Sequence, residues 1–134
     1  ANNTLVTFCS DNGPEGKAGS APGSAGHLNG RKRDLLEGGI RVPGLIEWPG
    51  KIRPGNTTMP AVTSDYLPTI LDLIGAKPVG DRPLDGISLR PVFEHGNDGT
   101  LDTRDTGFIF HFPAHFPGSS SINFFVHEES HLQF

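Results

Sequence analysis

From its fifth residue the chain runs through Leu5-Val6-Thr7-Phe8-Cys9, a nearly continuous series of apolar, β-branched and aromatic side chains. A run with no polar face suits a strand buried on both sides. Strands of that kind belong to parallel sheets covered by helices, so the expected class is α/β. In open α/β sheets ligands collect beyond the carboxyl ends of the strands. Ser10-Asp11-Asn12-Gly13 falls at such an end. By local chemistry alone Asp11-Asn12-Gly13 reads as a turn, because Asp-Gly and Asn-Gly pairs supply positive φ and Asx side chains bond their own backbone. The second reading, two oxygen-bearing side chains meeting a cation, gains from this position at the strand end.

At 134 residues the chain holds at most one ordinary domain. It carries 18 glycines and 12 prolines, with 34% of residues hydrophobic. That balance describes a loop-rich piece, or a part of something larger, better than a compact helical domain. A net charge of −4 gives no case for bulk nucleic-acid binding. A single cysteine excludes an internal disulfide framework and multi-cysteine zinc patterns. No apolar run is long enough to span a membrane. The first residues, ANNTLVTFCS, show neither the basic start nor the apolar stretch of a secretory signal, and read as the middle of a domain.

Residues 13–30, GPEGKAGSAPGSAGHLNG, have no helical or strand periodicity and read either as a linker or as an active-site loop. Arg31-Lys32-Arg33 is a short basic cluster, and Gly38-Gly39 permits close backbone approach. Glu37 and Arg41 are placed to pair around that double glycine. Gly44 to Trp48 reads as a second strand, entered at Pro43 and stopped at Pro49-Gly50. TSDYLPTILDLIG carries a helix signal, with cap chemistry at Thr63, Ser64 and Asp65, Pro68 in the first turn and Gly75 as the stop. Leu67, Ile70, Leu71 and Ile74 recur at the spacing of one buried face and are expected as core. DRPLDGISLRPVF is turn-rich, residues 94–106 are a polar linker, and GFIFHF reads as a strand. The tail from His111 onward has no assignable pattern.

The order SDNG, glycine-rich loop, GRKRDLLEGGIRVPGLIEWPGKI, TSDYLPTILDLIG and LDGISLRPVF resembles the carboxyl-terminal portion of the sulfatase family. Residues 2–93 carry the resemblance closely and HFPAHFPGSSSI more loosely; five pieces in the right order and spacing are specific where any one is weak. The resemblance implies an alkaline-phosphatase-like α/β fold, a mixed sheet flanked by helices, leading into a small carboxyl-terminal subdomain. Residues 1–93 would be part of the α/β domain and 107–134 the start of the subdomain. It implies hydrolysis of sulfate esters by a formylglycine, made from the Cys or Ser of a C/S-x-P-x-R motif, beside a divalent cation, usually calcium. The SDNG pair supplies two metal ligands in that family, which map onto Asp11 and Asn12. The lysine five residues before EGG contacts sulfate, and that position is Lys32. The chemistry is consistent: calcium takes hard oxygen ligands, and a fixed cation and an ammonium stabilise charge on sulfate oxygens.

The chain has no C/S-x-P-x-R, and Cys9, followed by Ser-Asp-Asn, is read as a small buried hydrophobe. The family's Asp-Asp metal pair and its other cationic and histidine groups map upstream of residue 1. The expectation is a sulfuric ester hydrolase fragment that supplies half of the calcium and sulfate site, needs an amino-terminal half, and acts on a sulfated small molecule or glycan. Alone it is expected neither to turn over a sulfate ester nor to bind calcium tightly. By resemblance the location is periplasmic, secreted or lysosomal. A non-catalytic remnant that binds anions or a partner is the first alternative. A phosphodiesterase or phosphatase relative is the second, and the Lys-x4-EGG-x-RVP run argues against it. His111 and His115 are candidates for contact with sulfate or sugar, because the HFPAHF segment lies near the substrate entrance by resemblance. Pro113 between them argues against a helical zinc pair, and partly exposed structural histidines are the other reading. The tail NFFVHEESHLQF departs from the Arg-x-Gly-Asp-Trp/Tyr-Lys strand common in the family.

Overall fold

The computed structural model of the 134-residue chain describes residues 2–16, 20–96, 107–112 and 123–127, the stretches 111–112 and 123–127 as backbone only. The described residues fall into two compact units. One is built from residues 7–46 with 107–112 and 123–127, the other from residues 2–6 with 47–96.

In the first unit, strand β1 (Val6–Cys9) pairs with β2 (Gly44–Glu47), and a single helical turn, α1 (Glu37–Ile40), precedes β2. Both strands lie where the apolar runs predict them. The expected burial of β1 on both faces is not found: Val6 is 52% and Phe8 63% exposed. The reason is the size of the sheet, since among the described residues β1 pairs with β2 alone and two strands cannot cover each other's faces. Cys9 is half-buried. Strands β3 (Phe108–Phe112) and β4 (Asn123–His127) form a separate antiparallel pair, Phe108 opposite His127 and His111 opposite Phe124. β3 matches the GFIFHF reading; β4 lies in the tail that showed no pattern. Among the described residues short helices and strands are mixed, with two two-stranded sheets where one mixed sheet flanked by helices was expected.

In the second unit, a 3₁₀ turn over Thr63–Asp65 leads into α2 (Tyr66–Ile74), and α3 (Arg90–His95) follows after a turn-rich segment. Gly75 closes α2 in the left-handed conformation, φ 68°, as the sequence predicts for a glycine stop. The buried face of α2 differs from the expected one. Leu67 and Ile74 are exposed, whereas Asp65 and Thr69 are almost wholly buried. The cause is a set of side-chain-to-backbone bonds. Asp65 does not cap α2 with its side chain; its carboxylate accepts the Val62 N–H at 2.8 Å and the Ile87 N–H at 3.0 Å. Thr69 Oγ1 donates to the Asp65 carbonyl at 2.6 Å and accepts the Leu89 N–H at 2.9 Å. These bonds hold the 86–89 segment against α2, and a Cβ at Gly86 would collide with the Ser64 carbonyl. The held segment buries Leu89 and Val92. It also starts α3, with Pro91 in the first turn, inside the stretch read as turns. Asp72 adds a partly exposed fastening: Ser88 Oγ donates to it at 2.6 Å and Arg90 Nη1 lies 3.2 Å from its other oxygen.

Candidate functional site

Asp11 and Asn12 follow β1 directly, in a bend closed by a hydrogen bond from Ser10 Oγ to the Asn12 carbonyl at 2.8 Å. The tripeptide therefore bends, as the turn reading expects, but without positive φ at any of its three residues and with the bond supplied by Ser10. Asp11 is exposed and Asn12 half-buried. Gly13 is buried, and its N–H donates to the Gly39 carbonyl at 2.8 Å. A Cβ on Gly13 would strike the carbonyl oxygen of Gly38. The glycine of SDNG and the double glycine of EGG thus meet main chain to main chain, at a distance no other residue type allows.

The same double glycine receives the basic segment on its other side. The Gly38 N–H donates to the Asn29 carbonyl at 2.6 Å. A Cβ on Gly38 would meet the carbonyl of Gly30, and one on Gly39 the carbonyls of Asp34 and Arg31. Arg31 to Asp34 is a turn closed in both directions: the Asp34 N–H donates to the Arg31 carbonyl at 2.9 Å, and the Arg31 N–H to Asp34 Oδ2 at 2.8 Å. Lys32 and Arg33 are its two central residues. Arg33 has φ 82°, the left-handed region, at the turn position that glycine ordinarily takes. The Lys32 N–H donates to the Pro14 carbonyl at 3.1 Å, so the turn lies alongside the chain two residues beyond Asn12. These bonds set Gly13 and Pro14, the residues that follow Asp11 and Asn12, beside Gly39 and Lys32.

The glycine-rich stretch is fastened at two of its described residues, Glu15 and Gly23. The Arg31 guanidinium donates to the carbonyls of Glu15 at 2.9 Å and Gly23 at 3.1 Å. This gives Arg31, read from sequence only as part of a basic cluster, a structural task. Glu37 and Arg41 pair at 3.1 Å across the double glycine, as read.

Glu15 is the participant that sequence reasoning missed. Its Oε2 lies 3.1 Å from Lys32 Nζ and its Oε1 2.8 Å from Arg33 Nη1. Hydrogen bonding from Lys32, then from Arg33, holds the Glu15 carboxyl below the ordinary glutamate range. The only sequence signal was a lone acid after Gly13-Pro14, in a stretch whose composition says linker.

The oxygen donors of Asp11 and Asn12 fit calcium in kind and fall short in number, since calcium takes six to eight. Among the described residues no group of three or more His, Cys, Asp and Glu side chains gathers. His27 is an exposed loop residue. His111 is described only as backbone on β3, and His115 lies outside the described residues. No helix among the described residues is long and apolar enough to cross a membrane.

Comparison with known proteins follows the same lines. Residues 1–76 match the family model described as Sulfatase. Steryl-sulfatase of Rattus norvegicus is 40% identical over 120 residues, covering 84% of this chain and 20% of the relative. Arylsulfatase A of Homo sapiens is 46% identical over 89 residues, 66% of this chain and 17% of the relative. A protein of Formosa agariphila named Sulfatase is 36% identical over 120 residues, 86% of this chain and 20% of the relative. The chain spans about a fifth of the length of the curated relatives it matches. With the SDNG, basic and EGG segments all inside a family match that takes in more than half of its residues, this chain belongs to the sulfatase family.

Proposed function

We propose that residues 1–93 carry part of the calcium and sulfate site of a sulfuric ester hydrolase of alkaline-phosphatase-like fold. The observation that supports this most is the set of main-chain bonds by which Gly13 meets Gly39 and the Lys32 N–H meets Pro14, next to the Asp11-Asn12 pair in sequence. In this reading Asp11 Oδ and the Asn12 amide oxygen are two ligands of a calcium ion, which when bound neutralises charge on sulfate oxygens. The Lys32 ammonium is a compact point charge for a sulfate oxygen. Gly13 fixes where the Asx pair stands, and the Arg31–Asp34 turn fixes where the ammonium starts. The formylglycine nucleophile and the remaining ligands come from polypeptide outside these 134 residues. The substrate is a sulfated small molecule or glycan, with His111 and His115 as candidate contacts, and the setting is periplasmic, secreted or lysosomal.

Amide spectra of the chain test this directly. Calcium chloride at millimolar concentration is expected to shift Asn12 and Gly13 in the parent chain and not in Asp11→Ala. Sodium sulfate is expected to shift Lys32 and not to do so in Lys32→Ala. No hydrolysis of an aryl sulfate by the chain is expected. Calcium shifts confined to other residues would remove the metal role, and aryl sulfate turnover abolished by Lys32→Ala would overturn the half-site reading. The absence of C/S-x-P-x-R favours one second reading, an anion-binding remnant without chemistry, which predicts sulfate shifts at Lys32 without calcium shifts at Asp11-Asn12.

A further inference from the structure

We propose that Glu15 is a built-in competitor that occupies the Lys32 and Arg33 cations until a sulfate ester displaces it, and that Arg33 is the second cation of the anion receptor. The inference rests on the reading of Lys32 as a sulfate-contacting residue and extends it to two residues with no assigned role.

The geometry points to a receptor already filled. Each Glu15 oxygen faces a different cation, Oε2 the Lys32 ammonium at 3.1 Å and Oε1 the Arg33 guanidinium at 2.8 Å. A carboxylate spread over two cations in this way marks a place for two oxygens of one anion. A sulfate monoester offers two oxygens at nearly the separation found in a carboxylate, with its third free for a metal. All three side chains are substantially solvent-exposed, 38% for Lys32, 54% for Arg33 and 51% for Glu15, so a ligand can reach them.

Two further observations say that the contact is more than a loop fastening. The loop is held without the Glu15 side chain, by the Lys32 N–H to Pro14 bond and by the Arg31 guanidinium on the Glu15 and Gly23 carbonyls. Arg33 holds a left-handed backbone, φ 82°, at a position where glycine would sit without strain. Strain kept at a residue whose side chain completes a charge cluster directs attention to that side chain. Lys32 and Arg33 are adjacent in the turn, and this backbone accompanies convergence of their charges on one carboxylate.

The exchange is a competition between anions, with no bond made or broken. Glu15 is tethered and carries one charge. An incoming sulfate ester gains both cations and releases the carboxylate to water. The arrangement sets a threshold: weak or singly contacting anions lose to Glu15, and those that use both cations win. The substrate class favoured is therefore a sulfate ester with two accessible oxygens, reinforced where a neighbouring anionic group can use Arg33.

The test is titration of the 134-residue chain with sodium sulfate at constant ionic strength, read on the amides of Lys32, Arg33 and Gly39. The parent is compared with Glu15→Gln, Arg33→Ala, Glu15→Gln/Arg33→Ala and Glu15→Gln/Lys32→Ala. The Gly39 amide and the helical circular dichroism of α2 confirm that each variant is folded. Exposed ion pairs of this kind imply sulfate binding about three- to tenfold tighter in Glu15→Gln. Loss of that gain on adding Arg33→Ala, and of binding on adding Lys32→Ala, completes the expected result. Unchanged or weaker sulfate binding in Glu15→Gln, with Lys32→Ala still removing it, would overturn the competitor role and leave the Lys32 reading standing. Sulfate binding indifferent to both substitutions would overturn both. If Glu15→Gln unfolds the loop, Glu15→Asp, whose shorter arm cannot reach both cations, must show the same tightening or the proposal fails.

Discussion

Gly13→Ala is the substitution that most sharply separates a chance contact from a designed one at the double-glycine junction. Gly13 carries no positive φ, so alanine meets no backbone strain of its own there. The cost is collision: the new Cβ would overlap the Gly38 carbonyl oxygen, with the Gly39 Cα as its neighbour at 2.9 Å. Those are main-chain atoms and cannot rotate aside. Overpacking in a closed site costs about 1–3 kcal/mol. The bond from the Gly13 N–H to the Gly39 carbonyl, 2.8 Å long, is lost or stretched as the two segments part, for about 0.5–1.5 kcal/mol more. The sum, about 1.5–4.5 kcal/mol, corresponds to a rise of roughly 10- to 2,000-fold in local opening constants. Amide hydrogen exchange reads this in place. Protection of the Lys32, Gly38 and Gly39 amides should fall by that factor, or to the open-chain rate if this is reached first. Gly55→Ala is the control, because a Cβ at Gly55 meets nothing within 4 Å and its φ is not positive. It should leave those amides unchanged. Equal loss of protection in the two variants, or less than threefold loss in Gly13→Ala, would refute the packing argument.

Asp65→Ala strips the partner from two backbone N–H groups, those of Val62 and Ile87. It should cost about 2–4 kcal/mol, read as a lowered midpoint in urea unfolding followed by helical circular dichroism, with Asp65→Asn falling between the two. Gly75→Ala forces a Cβ into a left-handed C-cap at φ 68° and should cost about 1 kcal/mol in the same assay, Gly75→Asn less. The Asp72 carboxyl is held below the ordinary aspartate range by the Ser88 hydroxyl first and then by Arg90. A depressed folded-state value means that its contribution is fully present above the unfolded value, about 3.9. It is then lost as pH falls through the lower folded value. Unfolding of the α2–α3 segment on acidification should therefore begin at a higher pH in Ser88→Ala than in the parent chain. Coincident acid transitions would show that the Ser88 bond carries nothing.

The elements legible in the sequence are those whose cause is local. Leu5 to Cys9 had to be extended because of its side chains, Gly75 had to stop a helix, and SDNG had to bend. What escaped was decided by atoms that leave no side-chain signature. The Gly13–Gly39 bond joins two peptide groups, and no pattern of residue types announces which peptide another glycine will meet. Asp65 offered cap chemistry in the right place, but the carboxylate was taken by Val62 and by Ile87, far along the chain, and that choice turned the helix so that Thr69 is buried while Leu67 and Ile74 are exposed. The missed α3 follows from the same event. In the site, Lys32 was reachable through resemblance because its spacing to EGG is fixed. Glu15 was not, because its place opposite Lys32 depends on how a loop without periodicity is folded back.

At the double glycine the contacts to Gly13 and Asn29 are made by peptide groups, and peptide groups are the one part of a protein that substitution cannot remove. Evolution can damage that junction only by adding atoms, at Gly13, Gly38 or Gly39. Arg31 holds the 20–28 segment by the Gly23 carbonyl, a main-chain atom, so composition around it can drift while the register of Gly13 against the double glycine stays fixed. A lineage could in this way retune what reaches the site by rewriting the loop, generation after generation, without disturbing the frame from which the loop is hung.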